Sequence, residues 1–256
     1  MTTHTDKRVL ITAGAAGIGR VTAEAFLSAG AKVFICDVDQ AALDKTQKEQ
    51  PRLKGLLADV ADEAQVAALF KAALAHLGGL DILVNMAGIA GPTASIEEIA
   101  FADWRRCLGV NLDGAFLCSK QAAPILKLQR SGSIINLSST AGLFGFPRRA
   151  PYCAAKWAIR GLTRTLAQEL GPFGVRCNCI CPGAVEGERI DRVIANEARK
   201  TNRAIDDVKT QYASQSSLRT FIPPQDIANA ILFLTSEAGA RINGEALAVD
   251  GHTETL

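Results

Sequence analysis

Thr12-Ala13-Gly14-Ala15-Ala16-Gly17-Ile18-Gly19 follows the apolar run Val9-Leu10-Ile11 and leads into an amphipathic stretch that continues to about residue 29. The combination predicts a strand, a tight glycine turn and a helix. Glycines at such a turn let the backbone approach a ligand, and the free N–H groups of the helix start suit a pyrophosphate. Thr12, Gly14, Gly17, Ile18 and Gly19 are therefore the first candidate dinucleotide-binding residues. A glycine loop alone is weak; its place between strand and helix makes it informative.

Outward from this loop, short apolar runs alternate with longer helical patterns. Strands are predicted near 8–13, 32–36, 54–58, 80–85, 132–138, 174–181 and 246–249. Helices are predicted near 17–29, 40–49, 62–77, 101–129, 151–171 and 225–236. Runs such as Val33-Phe34-Ile35 and Ile82-Leu83-Val84 lack polar alternation, as in strands covered on both faces. Strict alternation implies an α/β fold: a doubly wound parallel sheet with right-handed crossovers and helices on both faces. At 256 residues, one domain spanning the chain is the simplest division.

The second strand ends at Cys36-Asp37, eighteen residues past Gly19. A carboxylate at this spacing accepts both adenosine ribose hydroxyls and repels a 2′-phosphate, which favours NAD over NADP. Alternatively, Asp37 or Asp39 caps the next helix. Asp59-Val60 closes the third strand, where a carboxylate reaches an adenine amino group. Asn85-Met86-Ala87-Gly88 closes the fourth, its small residues permitting close approach to the adenosine; either segment read by itself could be loop chemistry.

Tyr152-Cys153-Ala154-Ala155-Lys156 opens a long helix and puts a phenol and an ammonium on one face. A phenol titrates near pH 10, and a neighbouring cation favours the phenolate, so the pair suits proton exchange with an alcohol. The fifth strand runs out at Asn136-Leu137-Ser138-Ser139-Thr140. Ser138 and Ser139 face opposite ways if the strand continues, and the thirteen-residue spacing to Tyr152 favours Ser139 as the hydroxyl that polarises the substrate oxygen. Asn111 lies within a strongly helical stretch and is a poor helix former; it either interrupts the helix and holds a water or is a satisfied core group.

Residues 183–223 are too long for an ordinary connection and carry helical pattern near 189–200 and 206–214. Beyond the carboxyl end of a strand, this excursion reads as a substrate lid or a subunit-contact element. Its seven basic and six acidic side chains, among them Arg189, Arg192 and Glu197, predict a salt-bridged solvated face. Arg148 and Arg149, just before the tyrosine, would suit an anionic substrate, while Phe144, Phe146 and Tyr212 could wall a pocket.

The net charge of +2, from 28 basic and 26 acidic residues, gives no reason to expect nucleic acid or anionic membrane as a partner. No apolar run approaches the roughly 18–20 residues of a membrane span, and Met1–Arg8 is polar and leaves no room for a signal peptide. Seven cysteines with no export signal suggest reduced thiols in the cytoplasm. Cys177, Cys179 and Cys181 alternate along one strand, about 6.5 Å apart on a face. That is too far for convergence on one zinc, so no metal is expected.

With these motifs in place, the chain resembles the short-chain dehydrogenase/reductase family from about Lys7 to Gly251. The resemblance is carried by Thr-x-x-x-x-Gly-Ile-Gly, Asn-x-Ala-Gly, Asn111, Ser139, Tyr-x-x-x-Lys, Cys-Pro-Gly at 181–183 and Val-Asp-Gly at 249–251. It implies a seven-stranded parallel sheet ordered 3-2-1-4-5-6-7, and hydride transfer between NAD and a small-molecule alcohol or ketone. By the same resemblance Tyr152 is the acid/base and Ser139 bonds the substrate oxygen. Lys156 binds the nicotinamide ribose and lowers the tyrosine pKa, Asn111 holds a relay water, and Pro182, Gly183 and Val185 face the carboxamide. It also implies a homotetramer or homodimer. The rival readings are an NADPH-dependent ketoacyl-thioester reductase, against which Asp37 argues, and a non-catalytic dinucleotide sensor, against which the intact tyrosine and lysine argue. Three positions depart from the family pattern: Ala13 replaces the loop's first glycine, Met86 an asparagine, and Gly187 a threonine.

Overall fold

The computed structural model describes residues 4–254. Seven parallel strands form one sheet ordered β3-β2-β1-β4-β5-β6-β7. They are β1 (Arg8–Thr12), β2 (Lys32–Asp37), β3 (Lys54–Leu57), β4 (Ile82–Asn85), β5 (Gly132–Leu137), β6 (Val175–Pro182) and β7 (Ala246–Val249). Between them run α1 (Gly17–Ser28), α2 (Gln40–Glu49), α3 (Glu63–Leu77), α4 (Phe101–Leu108), α5 (Gly114–Gln129), α6 (Ala150–Leu170), α7 (Glu188–Thr201), α8 (Ile205–Ser214) and α9 (Pro224–Thr235).

The apolar runs behave as two-sided strands. Val9 and Ile11 join Val33, Ile35, Ile82 and Val84 in a core under α1 and α9. Leu10, Phe34, Leu83 and Ile134 turn the other way, into a core with α3, α5 and α6. The inner strands β1, β2, β4, β5 and β6 feed both cores, and the order reverses between β1 and β4, which opens a crevice at their carboxyl ends where open α/β sheets bind ligands.

The stretch predicted as one helix at 101–129 is divided. Gly109–Asp113 forms a π-helical turn between α4 and α5, and Asn111 lies within it. Its side-chain Nδ2 donates to the Cys107 carbonyl at 2.9 Å, the i−4 acceptor that a regular α-helix would give to the backbone. Side-chain competition for the backbone ladder is a known cause of such bulges.

The 183–223 segment contains α7 and α8, packed by Ile194, Ala198, Val208 and Tyr212 against Phe146, Ala184 and Phe221. A single parallel bridge, Val185 with Ile222, closes its base. The expected salt-bridged face is not what forms. Among the described residues no two charged side chains of this segment pair with each other; Arg219 reaches Glu254 instead. Nearly equal numbers of the two signs do not make pairs when the helices direct them to different surroundings. No helix among the described residues is long and apolar enough to cross a membrane.

Candidate active site

The glycine loop is held from below. Gly14 N–H donates to Cys36 O at 2.9 Å, Ala15 N–H donates to Asp37 Oδ2 at 3.1 Å, and Thr46 Oγ1 donates to Ala15 O at 2.8 Å. A Cβ on Gly19 would lie 2.0 Å from Ala13 O, and one on Gly14 would lie 2.6 Å from Ile35. Gly17, at φ +51°, has open space where its Cβ would be. Helix α1 begins with no side-chain cap and no acidic residue in its first turn. The exposed Gly17 and the uncapped helix N–H groups fit the pyrophosphate of a dinucleotide.

Asp37 does not cap α2; Asp39 does, accepting from Ala42 N–H. Asp37 Oδ1 accepts from its own turn, Val38 N–H at 2.8 Å and Asp39 N–H at 3.2 Å, while Oδ2 faces the glycine loop. The carboxylate is thus fixed beside the glycine loop. Asp59 is ion-paired to Arg106 of α4 at 2.9 Å, and Val60 is buried against Gly114.

Two expected cofactor contacts have their side chains engaged inside the protein. Thr12 Oγ1 accepts from Met86 N–H at 2.9 Å and Ala87 N–H at 3.0 Å, which ties β1 to the loop after β4. Asn85 Nδ2 donates to Asn136 Oδ1 at 2.8 Å and to Ser119 Oγ at 3.2 Å within the core. Gly88 is small for a visible reason: a Cβ there would lie 2.6 Å from Asn111 Oδ1 and 3.4 Å from Lys156 Nζ. Gly183 packs as tightly on Asp250, with 3.0 Å left for a Cβ. Pro182 ends β6, and Val185 lies in the bridge to Ile222.

Tyr152 stands in the first turn of α6, with Pro151 just before it. One turn on, Lys156 is fully buried. Its Nζ lies 5.5 Å from the Tyr152 ring centre and donates to Leu137 O at 2.8 Å. Ser138 points away from the crevice and donates to Lys156 O at 2.8 Å, which binds α6 to β5. Ser139 Oγ accepts from Ala141 N–H at 3.1 Å, and the hydroxyl is near enough to Tyr152 to favour its phenolate. Burial pushes the Tyr152 phenol up, but Arg189, Lys156, Ser139 and Arg149 together hold it below its ordinary value. Burial likewise lowers the Lys156 ammonium, more than the nearby Tyr152 raises it.

Asn111 completes the cluster. Besides Cys107 O, its Nδ2 donates to Ile89 O at 3.0 Å, so the amide is fixed with Oδ1 on the Lys156 side of Gly88. That Oδ1 is buried and without a protein partner. An unsatisfied buried acceptor next to an ammonium is where an ordered water is expected.

A family model described as enoyl-(acyl carrier protein) reductase matches residues 13–252. Among curated relatives, the 2-(S)-hydroxypropyl-CoM dehydrogenase 3 of Xanthobacter autotrophicus is 38% identical over 247 residues, covering 95% of this chain and 94% of that protein. The chain belongs to the short-chain dehydrogenase/reductase family. It is therefore an oxidoreductase of the kind that works with nicotinamide dinucleotides. The cis-4-hydroxycyclohexanecarboxylate dehydrogenase of Sinomonas cyclohexanicum is 35% identical, with 96% of each chain covered. The structure of an NAD+-bound xylitol dehydrogenase superposes with a TM-score of 0.92 at 26% identity, over 96% of this chain and 98% of that one.

The three positions at which the chain departs from the family pattern have distinct surroundings. Ala13 adopts φ +51°, the left-handed conformation that explains a glycine there, so this chain forms the turn at the cost of strain. Met86 is buried in the core beneath α1 and α9. Gly187, at φ +125°, is the residue from which α7 starts.

Sequence reasoning treated Arg148 and Arg149 alike. Arg148 is exposed at φ +65°, whereas Arg149 is buried beside Tyr152, its guanidinium 5.5 Å from the ring centre. Arg189, counted only as one of the segment's charges, lies 5.8 Å from the same ring. No periodicity distinguishes either arginine from its neighbours. The three cysteines of β6 are buried, and Cys179 and Cys181 bring their sulfurs to 3.9 Å.

Proposed function

We propose that the protein is an NAD(H)-dependent oxidoreductase that interconverts a secondary alcohol and its ketone, with Tyr152 as acid/base. The observation that carries this reading is the convergence of Ser139, Lys156 and the unsatisfied Asn111 Oδ1 around a tyrosine whose phenol is held below its ordinary pKa. The relatives named above are dehydrogenases of hydroxylated compounds, which supports an alcohol or ketone as the reacting group.

Nicotinamide, when bound, supplies the hydride acceptor or donor. In the oxidising direction the Tyr152 phenolate takes the hydroxyl proton, and Ser139 donates a hydrogen bond to the same oxygen and keeps it aimed. Lys156 holds the nicotinamide ribose and stabilises the phenolate. The proton that Tyr152 gains leaves by way of Lys156 and a water on Asn111 Oδ1, and in the reducing direction the same route returns it. Gly14, Gly17, Ile18 and Gly19 seat the pyrophosphate, and Asp37 takes the adenosine ribose hydroxyls. Asp59, Val60, Ala87 and Gly88 line the adenosine side, and Pro182, Gly183 and Val185 face the carboxamide. Thr12 and Asn85 contribute by holding the backbone of those loops.

Residues 183–223 act as a lid over the substrate, since α7 places Arg189 above the Tyr152 ring. The exposed Phe101, Phe116 and Trp157 on α4, α5 and α6 favour assembly of a cytoplasmic homodimer or homotetramer through those helices.

The test is a panel of polyols, hydroxy acids, secondary alcohols and their ketones, followed at the reduced-nicotinamide absorbance with NAD and NADP separately. Turnover with NAD, lost in Tyr152→Phe, is the expected result. Asp37→Ala should relax the preference for NAD by roughly tenfold or more, the loss of one close charge repulsion. A wild-type preference for NADPH would sink the cofactor assignment.

A further inference from the structure

A guanidinium stays charged at any physiological pH, and arginine is seldom fully buried without a carboxylate partner. Arg149 is an exception. It is 5% exposed, yet among the described residues no carboxylate lies within ion-pair distance of it. Its polar contacts are neutral: Nη2 donates to Ala90 O at 2.9 Å and Nη1 to Thr93 Oγ1 at 3.2 Å. Its Nε is buried with no partner at all. Phe146 and Tyr152 cover its flanks, at 5.7 and 5.5 Å from the guanidinium carbon to the ring centres.

A second unpaired cation comes from α7. Arg189, in the first turn of α7, stands over the Tyr152 ring and likewise has no ion pair among the described residues. Glu197, a carboxylate of the same helix, instead accepts the Tyr212 hydroxyl at 2.9 Å. Lys200, near the end of α7, donates to Thr93 O, so the lid helix and Arg149 grip the same 90–93 loop. The two guanidinium groups lie 5.5 and 5.8 Å from the Tyr152 ring centre. Lys156 is already committed to the end of β5 through Leu137 O.

We propose that Arg149 and Arg189 form an anion subsite in the alcohol pocket, so that the preferred substrate carries a carboxylate or similar oxyanion a short distance from the reacting hydroxyl or ketone. Arg149 is the fixed member, held by the 90–93 loop and two rings. Arg189, exposed on the lid helix, is the member that closes on the anion. The inference rests on the alcohol-oxidising reading of Tyr152 for its substrate, and on the two unpaired arginines for its charge.

The experiment compares β-hydroxybutyrate and γ-hydroxyvalerate with their neutral methyl esters, which present the same hydroxyl without the charge. Expected is a ratio of acid to ester kcat/KM of about ten or more in the wild type, falling about tenfold in Arg189→Gln and in Arg149→Gln, mainly through KM. Taking the ratio cancels any general effect of either arginine on the tyrosine. Arg189 is exposed, so its variant keeps the test valid if the buried Arg149 variant fails to fold. Equal use of acids and esters by the wild type, or a ratio unmoved in Arg189→Gln, overturns the inference and leaves the oxidoreductase reading standing.

A calorimetric titration of the NAD-loaded protein with levulinate and methyl levulinate separates the opposite failure. Binding of the acid alone, lost in Arg189→Gln and kept in Tyr152→Phe, upholds the subsite even if no alcohol on the panel turns over. Equal binding of acid and ester, or binding of neither, overturns it.

Discussion

Replacing Asn111 by alanine separates the two jobs assigned to its amide. On the structural side, Nδ2 donates to Cys107 O and Ile89 O, both lost in the variant. Each such bond is worth about 1 kcal/mol net, and about 1–3 kcal/mol where the buried acceptor is left open. One effect opposes the loss: alanine is a better helix former by up to about 0.7 kcal/mol. The balance is a destabilisation of about 1–2 kcal/mol, or a fall in Tm of roughly 2–8 °C for a chain of this length. On the chemical side, losing the relay water should lower kcat by roughly tenfold or more, with NAD affinity little changed because the glycine loop is remote. Calorimetric unfolding and steady-state kinetics at saturating NAD read the two separately. An unchanged Tm would refute the claim that the side chain holds the π turn open, and an unchanged kcat would refute the relay.

Ala13→Gly should stabilise the protein. Relief of left-handed strain is worth about 1–2 kcal/mol and the more flexible unfolded chain takes back about 0.4–1 kcal/mol, so the urea midpoint should rise, and a fall would count against strain at φ +51°. Because the Tyr152 phenol is held below its ordinary value, alcohol oxidation should rise with pH with a midpoint below that of a free phenol near 10. Ketone reduction should show the opposite limb, and Arg189→Gln should move both upward in pH; a midpoint unmoved in that variant would show that Arg189 does not act on the phenol. Asp81 accepts from Arg8 N–H, Nε and Nη2, each at 2.8 Å. Burial raises its carboxyl, but Arg8 outweighs this and holds it below the usual range. Its contribution is therefore present above the unfolded value near 3.9 and lost as pH falls through the folded one. Asp81→Ala should cost about 1–3 kcal/mol at neutral pH and flatten the acid limb of a stability–pH curve measured by urea unfolding.

Most of the fold was legible because the sheet is buried on both sides. A strand that feeds two cores must be apolar at every position, so Val9-Leu10-Ile11 and Val33-Phe34-Ile35 announce themselves without periodicity. Most boundaries shifted by a residue, and two shifts have a local cause. The first strand stops at Thr12 rather than residue 13 because Ala13 turns left-handed. The fourth begins at Ile82, two residues later than the apolar pattern suggests, because Asp81 is drawn to Arg8. Even the break at 109–113 had a signal, the poor helix former Asn111, although the type of turn did not.

The site was legible to the extent that its chemistry follows from short spacings. Tyr152 and Lys156 lie one helical turn apart, so their meeting needs only that the helix form. Ser139 needs the parity of a strand end, which the bond from Ser138 to Lys156 O fixes. Arg149 and Arg189 belong to a different class of fact. Whether an arginine is a solvated charge or a recognition group depends on whether a carboxylate comes within about 4 Å of it, and that is set by elements far apart in the chain. Charge counting over 183–223 predicted mutual neutralisation, but neutralisation is a property of pairs. With Glu197 occupied by Tyr212, the positive charge beside Tyr152 has no partner of its own among the described residues, which makes the substrate's charge the next property to measure.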